Sequence, residues 1–164
     1  ACLKTLKALG DGLEPRIRSM GVALRGVAVP DTRRETFALA DDEMEMGVGI
    51  HGEPGVSREK LGPANAIVGR LTESVLAGLP AAPEATPLLL INGFGGTPLP
   101  ELYLAYGIAR RHLEGRGIGI GRSLVGTFVT SLDMAGLSVT LALLSEEERR
   151  LWDRPVSTPV LRWG

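Results

Sequence analysis

The chain of 164 residues has one cysteine, two histidines and few aromatic side chains, Phe, Trp and Tyr together making up 4%. Cys2 alone cannot close an internal disulfide, so nothing calls for an oxidising compartment and a cytoplasmic setting is expected. No apolar run approaches the ~20 residues of a membrane-spanning helix, and no membrane association is expected. Ala1 to Gly10 carries two lysines among apolar residues and lacks the apolar core of a signal peptide. Charge of one sign is also missing: 18 Lys and Arg stand against 19 Asp and Glu, a net of -1 with no basic stripe. Nucleic-acid binding needs clustered cations to displace counterions, so that class is set aside. His51 and His112 are far apart in sequence and no cysteine lies at ligand spacing, so no metal site is expected.

Glycine and proline are plentiful, 22 and 11, and they punctuate the chain between apolar runs. That pattern implies tight turns and close backbone approaches within one domain large enough to bury a core. Leu3, Leu6, Leu9 and Leu13 recur at helical spacing around Gly10 and Gly12, a broken helix over the first ~20 residues. Val22 to Val29 reads as a strand ending at Pro30, followed by a charged loop over 31–35 and a short extended piece over 36–39. Glu43 to Ile50 alternates acidic and apolar residues, the pattern of a half-buried strand. Ser57 is placed as the N-cap of a helix to about Leu79, with Pro63 able to delay its start. A Pro/Ala linker, residues 80–87, precedes the apolar run Leu88 to Ile91, a strand buried on both faces. Thr97 is read as the N-cap of a helix from about Pro98 to Leu113. A strand and turn over 118–129, a strand over 138–144 and a short acidic helix from Ser145 to Trp152 complete the alternation. The expected class is α+β (α/β-like): a single domain with a mixed β-sheet flanked by helices.

Three segments have the residues for chemistry. Gly47-Val48-Gly49-Ile50-His51-Gly52-Glu53-Pro54-Gly55 puts a histidine between small residues at the end of a strand. Neutral imidazole adds to carbonyls near neutral pH, and Glu53 or Glu45 is placed to orient its other nitrogen. From the residues alone, a turn histidine that hydrogen-bonds its loop is the commoner outcome. Asn92-Gly93-Phe94-Gly95-Gly96-Thr97-Pro98 joins a strand to a helix N-terminus, the layout of an anion cradle and equally of a structural turn. Thr130, Ser131 and Asp133 either line a pocket or cap the turn before the strand at 138–144, and the turn is favoured. His112, beside two arginines on a helix, is read as a surface residue.

These segments together resemble the C-terminal half of the substrate-binding (K-type) subunit of dihydroxyacetone (glycerone) kinases. The likeness runs through Asp41-Asp42-Glu43-Met44-Glu45 into Gly-Ile-His-Gly-Glu-Pro-Gly, then Thr97-Pro98-Leu99 with Glu101-Leu102-Tyr103. It continues through Thr130-Ser131-Leu132-Asp133-Met134 to the tail Leu161-Arg162-Trp163-Gly164. The resemblance implies that His51 is the catalytic residue, holding dihydroxyacetone as a hemiaminal, with Glu45, Gly52 and Glu53 binding or orienting around it. It implies that this domain itself holds no cofactor, and that ATP or ADP with Mg sits on a separate L-type domain. The partners it implies are dihydroxyacetone, an N-terminal K domain, the L-type domain or subunit, and a second copy in a homo-oligomer. Residues 1–164 would then be the second domain of a K subunit whose N-terminal half is absent. Ser157 departs from the histidine expected there in many relatives. The other class kept open is a stand-alone small-ligand binding or regulatory module without kinase activity.

Overall fold

The apolar run at Leu88 becomes β4 (Leu88–Gly93), an inner strand of a six-stranded sheet. The structure, a computed structural model, describes residues 2–27, 38–50, 53–81 and 86–164. The first helix, α1 (Leu3–Leu13), runs straight through Gly10 and Gly12 and buries none of its side chains. A single 3-10 turn, Glu14–Arg16, leads into β1 (Ile17–Ala23). Then follow β2 (Glu43–Met46), β3 (Ser57–Lys60), α2 (Ala64–Ala77), β4, α3 (Leu99–Glu114), β5 (Arg122–Gly126), β6 (Gly136–Ala142) and α4 (Glu146–Trp152). A two-stranded ribbon, β7 (Val156–Ser157) with β8 (Arg162–Trp163), closes the chain.

The sheet order is β3-β2-β1-β6-β4-β5, and β4 with β5 is its parallel pair; the other pairs are antiparallel. This is the mixed α+β sheet that the sequence predicts. Alternation decides the two faces. Val22, Met44, Met46, Leu89, Ile91, Val139 and Leu141 pack against Ile67, Leu71 and Val75 of α2 and Leu102, Ala105 and Ala109 of α3. The register then puts Ser19, Thr140, Leu90 and Leu124 in one row on the opposite face, and Gly21, Ser138, Asn92 and Gly126 in the next. On that face a smaller cluster, Ala23, Val27, Val48, Phe94 and Met134, covers one end only.

Several sequence expectations shift. The first strand starts at Ile17 rather than Val22, because all seven residues of β1 pair with β6, polar Arg18 and Ser19 included. Ser57 opens an edge strand instead of capping a helix. Cross-strand charge explains this: Arg58 faces Glu45 and Lys60 faces Glu43, and a charged edge discourages pairing with other chains. The helix begins after Pro63, which takes the cap position without a side-chain hydrogen bond. Thr97 does not cap α3; Pro98 does, and the Thr97 hydroxyl turns to β6, accepting from the Gly136 N–H and donating to its carbonyl, both at 2.8 Å. Ser145 does form a full capping box with Glu148 at the start of α4. The expected strand end at Val29, the loop 31–35 and residues 36–37 lie outside the described residues. Among the described residues no helix is long and apolar enough to cross a membrane.

Candidate functional site

The loop that joins β2 to β3 carries the histidine motif, and both of its feet are tied. Gly47 ends β2 with a φ of 79°, a backbone that side-chain-bearing residues rarely adopt. Its N–H donates to the Gly21 carbonyl of β1 at 2.7 Å, and the Val56 N–H donates to the Met46 carbonyl at 2.6 Å. A methyl on Gly47 would sit 2.6 Å from Val56 Cγ2, so the two feet touch. Glu45, 8% exposed, holds the returning strand from inside: its Oε1 accepts the Gly55 N–H at 2.7 Å and its Oε2 the Arg58 guanidinium at 3.1 Å. A Cβ on Gly55 would run into the Met46 carbonyl and lie 2.6 Å from Glu45 Cγ, which is why glycine stands there. Across the loop the Glu53 carboxylate lies against Gly49, so close that a Cβ on Gly49 would clash with it. His51 and Gly52 lie outside the described residues. The structure thus brings Glu45 and Glu53 to the two ends of the same loop, with Glu45 engaged in holding it.

Gly49 and Ile50, the two residues before His51, line a cavity of about 570 Å³ that reaches Ser74 and Val75 of α2 on one side of the sheet and Ser138 and Thr140 on the other. The cavity wraps the edge of β1 beyond Gly21, where the β2 ladder has stopped. Its walls are apolar, from Met20, Val48, Leu90, Phe94 and Val129, and its floor carries the hydroxyls of Ser19, Ser138 and Thr140. Apolar walls with a few convergent polar groups are the usual make-up of a small-molecule site. These hydroxyls were not among the sequence candidates. A signal was present in the strand at 138–144: polar Ser138 and Thr140 alternate with Val139 and Leu141, so one face of this central strand is not packed on helices.

Asn92 belongs to the same wall, and its amide ties β4 to residues 128–129. Oδ1 accepts the N–H groups of Phe128 and Val129, each at 2.9 Å, and Nδ2 donates to the Val129 carbonyl at 2.8 Å. The glycines that follow it serve chain packing: Gly95 has a φ of 128° and backs onto the Leu132 carbonyl, and the Gly96 N–H donates to the Met134 carbonyl at 2.9 Å. Ser131 and Asp133 form the turn against which this segment rests, with the Ser131 N–H on the Phe94 carbonyl at 2.8 Å and Leu132 at a φ of 50°. His112 is half-buried rather than on the surface. Its Nε2 meets the Glu73 carboxylate of α2 and lies 3.0 Å from Arg116, so it joins α2 to α3.

A profile described as the Dak1 domain matches residues 1–160 of the chain. Among curated proteins, a D-erythrulose kinase of Mycolicibacterium smegmatis is 42% identical over 147 residues, which are 90% of this chain and 25% of that protein. The dihydroxyacetone-binding subunit of a PTS-dependent dihydroxyacetone kinase of Listeria innocua is 38% identical over 160 residues, 98% of this chain and 48% of that subunit. The chain therefore spans from a quarter to about half the length of these relatives. Among solved structures, a dihydroxyacetone kinase operon co-activator superposes with a TM-score of 0.84 at 33% identity, covering 93% of this chain and 47% of that one. A dihydroxyacetone kinase of C. freundii in complex with AMP-PNP and Mg2+ superposes with a TM-score of 0.67 at 28% identity, covering 92% of this chain and 27% of that one.

Proposed function

This chain belongs to the Dak1 domain family, and we propose that it is the substrate-anchoring domain of a dihydroxyacetone kinase, holding its ketone through His51. The unprotonated imidazole nitrogen attacks the carbonyl carbon, the C–O π bond opens, and the oxygen takes up a proton while the other ring nitrogen gives one up. The product is a neutral hemiaminal with no atom gained or lost overall. An alcohol such as glycerol offers no electrophilic carbon and is passed over. Anchoring also fixes the terminal hydroxyl for in-line transfer, a proximity effect.

The observation that carries this proposal is the pairing of a foot-pinned loop with an adjoining cavity. Gly49 and Ile50 line the cavity two residues and one residue before His51, and Glu45 holds the loop's return. Gly52 and Glu53 follow His51 directly in sequence, and Glu53, with Glu45 as the other candidate, is the carboxylate assigned to orient the imidazole. Residues 1–164 form the second domain of a K subunit, and an N-terminal K domain supplies the acid–base groups near the reacting hydroxyl. A nucleotide with magnesium on an L-type partner supplies the phosphoryl group when bound, within a homo-oligomeric cytoplasmic assembly. The relatives named as erythrulose kinases extend the substrate class to short ketoses of four carbons.

A second function, a ligand-binding regulatory domain that phosphorylates nothing, is favoured by the likeness to the operon co-activator. One experiment addresses both. The chain is incubated with carbonyl-labelled dihydroxyacetone and followed by NMR, beside intact-mass detection after borohydride, wild type against His51→Ala. A hemiaminal carbon signal that disappears in the variant is expected. A signal that persists in His51→Ala, or no signal in the wild type, removes His51 as the anchor. An adduct in a full-length protein that transfers no phosphoryl group to it, when supplied with an L-type partner and donor, decides for the regulatory domain.

A further inference from the structure

The floor of the cavity carries the hydroxyls of Ser19, Ser138 and Thr140. Ser138 is 8% exposed, lines the cavity, and its hydroxyl has no hydrogen-bond partner among the described residues. Among the described residues no buried side-chain polar atom lacks a partner, so this hydroxyl opens to the cavity, where a bound molecule can take the place of water. Two residues on, Thr140 is 7% exposed and its hydroxyl donates to Ser19 Oγ at 2.8 Å. That bond leaves the Ser19 proton free to donate into the cavity. The floor therefore offers a short row of neutral donors and acceptors on β6 and β1.

The lining also bears on the ligand's charge. Among the described residues that line the cavity, Arg18 is the one charged residue, and one guanidinium nitrogen donates to the backbone, 2.6 Å from the Ile17 carbonyl and 3.2 Å from the Glu14 carbonyl. Arg18 apart, the described lining is uncharged, and hydroxyl groups match Ser19, Ser138 and Thr140 directly. The carbon skeleton of the ligand lies along Met20, Val48, Phe94 and Val129. The cavity of about 570 Å³ falls in the range of roughly 300–1,000 Å³ that drug-sized ligands occupy, far more than a three-carbon ketone fills.

We infer that Ser138 and Thr140, with Ser19, form a subsite for the hydroxyl-bearing arm of a neutral ketose longer than three carbons. This rests on the proposal that His51 anchors the carbonyl. The carbonyl end then lies beside Gly49 and Ile50, and the remote hydroxyls descend onto β6. Ser138 and Thr140 are specificity-determining residues in this arrangement: they recognise the part of a ketose that dihydroxyacetone lacks.

The test is a binding titration by NMR with dihydroxyacetone, D-erythrulose and L-erythrulose, on wild type, Ser138→Ala and the near-isosteric Thr140→Val. Far-UV circular dichroism of each variant checks the fold. One lost neutral hydrogen bond should weaken an erythrulose about threefold to tenfold, and dihydroxyacetone by a clearly smaller factor. Equal weakening of all three ligands, or none, overturns the subsite, while an adduct that still depends on His51 leaves the anchoring proposal standing. If the wild-type chain binds no ketose at all, the anchoring proposal fails and the subsite fails with it.

Discussion

Replacing Glu45 with alanine removes two interactions that hold the β2–β3 loop. One is the bond from the Gly55 N–H at 2.7 Å to a carboxylate that is 8% exposed; the other is the Arg58 pair at 3.1 Å. A hydrogen bond to a charged acceptor in a part-buried setting contributes about 1.5–3 kcal/mol. The Arg58 side chain is 47% exposed, so its pair adds at most about 1 kcal/mol after solvent screening. Glu45→Ala should therefore cost about 1.5–4 kcal/mol of unfolding free energy. Glu45→Gln, which keeps an oxygen for the Gly55 N–H and loses the charge, should cost about half of that, roughly 1–2 kcal/mol. Urea unfolding at neutral pH gives the totals, and amide hydrogen exchange at Gly55 shows where the loss falls. Gly55 should lose protection in the alanine variant well beyond the drop in global stability, because its acceptor is gone. If Gly55 keeps its protection, or if alanine and glutamine cost the same, the carboxylate does not hold the loop.

Two further outcomes follow from local geometry and charge. Gly95→Ala forces a side chain onto a backbone at φ 128° and into the Leu132 carbonyl, and should lower stability by more than about 2 kcal/mol; a change within about 0.5 kcal/mol in a urea titration would contradict that packing. Glu148 pairs with Arg16 through two hydrogen bonds, 2.8 and 3.0 Å, and the Arg16 guanidinium holds its carboxyl below the usual carboxylate value. Glu59 is drawn down to about 2 by the Arg70 guanidinium and then by the Ser57 hydroxyl. Groups depressed in the folded state add stability that is fully present above their unfolded value, about 4.3, and is lost as pH falls through the folded value. Unfolding free energy should therefore decline below about pH 4.3, and Glu148→Gln should flatten that decline while lowering the neutral plateau; an unaltered acid slope would exclude the Arg16 pair as its source.

The elements most legible in the sequence are those whose composition and position agree. Leu88 to Ile91 could hardly be other than an inner strand, and the Ser145 to Glu148 box sets the start of α4 to the residue. β1 was displaced because its outward residues, Ser19 and Gly21, face a cavity; a strand that packs on one side only loses half of its apolar alternation. β3 was hidden for a related reason. Its four residues, Ser-Arg-Glu-Lys, have no apolar member, and pairing across charges with β2 outweighs strand propensity. At the candidate site, the loop with His51, Glu45 and Glu53 stood out by its glycines. The floor of the cavity did not, since Ser138 and Thr140 meet Ser19 only through the pairing of β6 with β1, which no local pattern records.

That same pairing constrains how the domain is made. Ile17 pairs with Ala142 and Ala23 with Gly136, and β6 also takes β4 on its other side, so the sheet's two halves share no strand except this late one. A nascent chain that has emerged only as far as β5 holds β3-β2-β1 and β4-β5 as separate pieces, each with an unpaired edge exposed. Closing the loop between β1 and β6 is costly and must wait until β6 itself has emerged. Until then β1 and β4 each present an unpaired strand edge, the kind of surface through which chains aggregate.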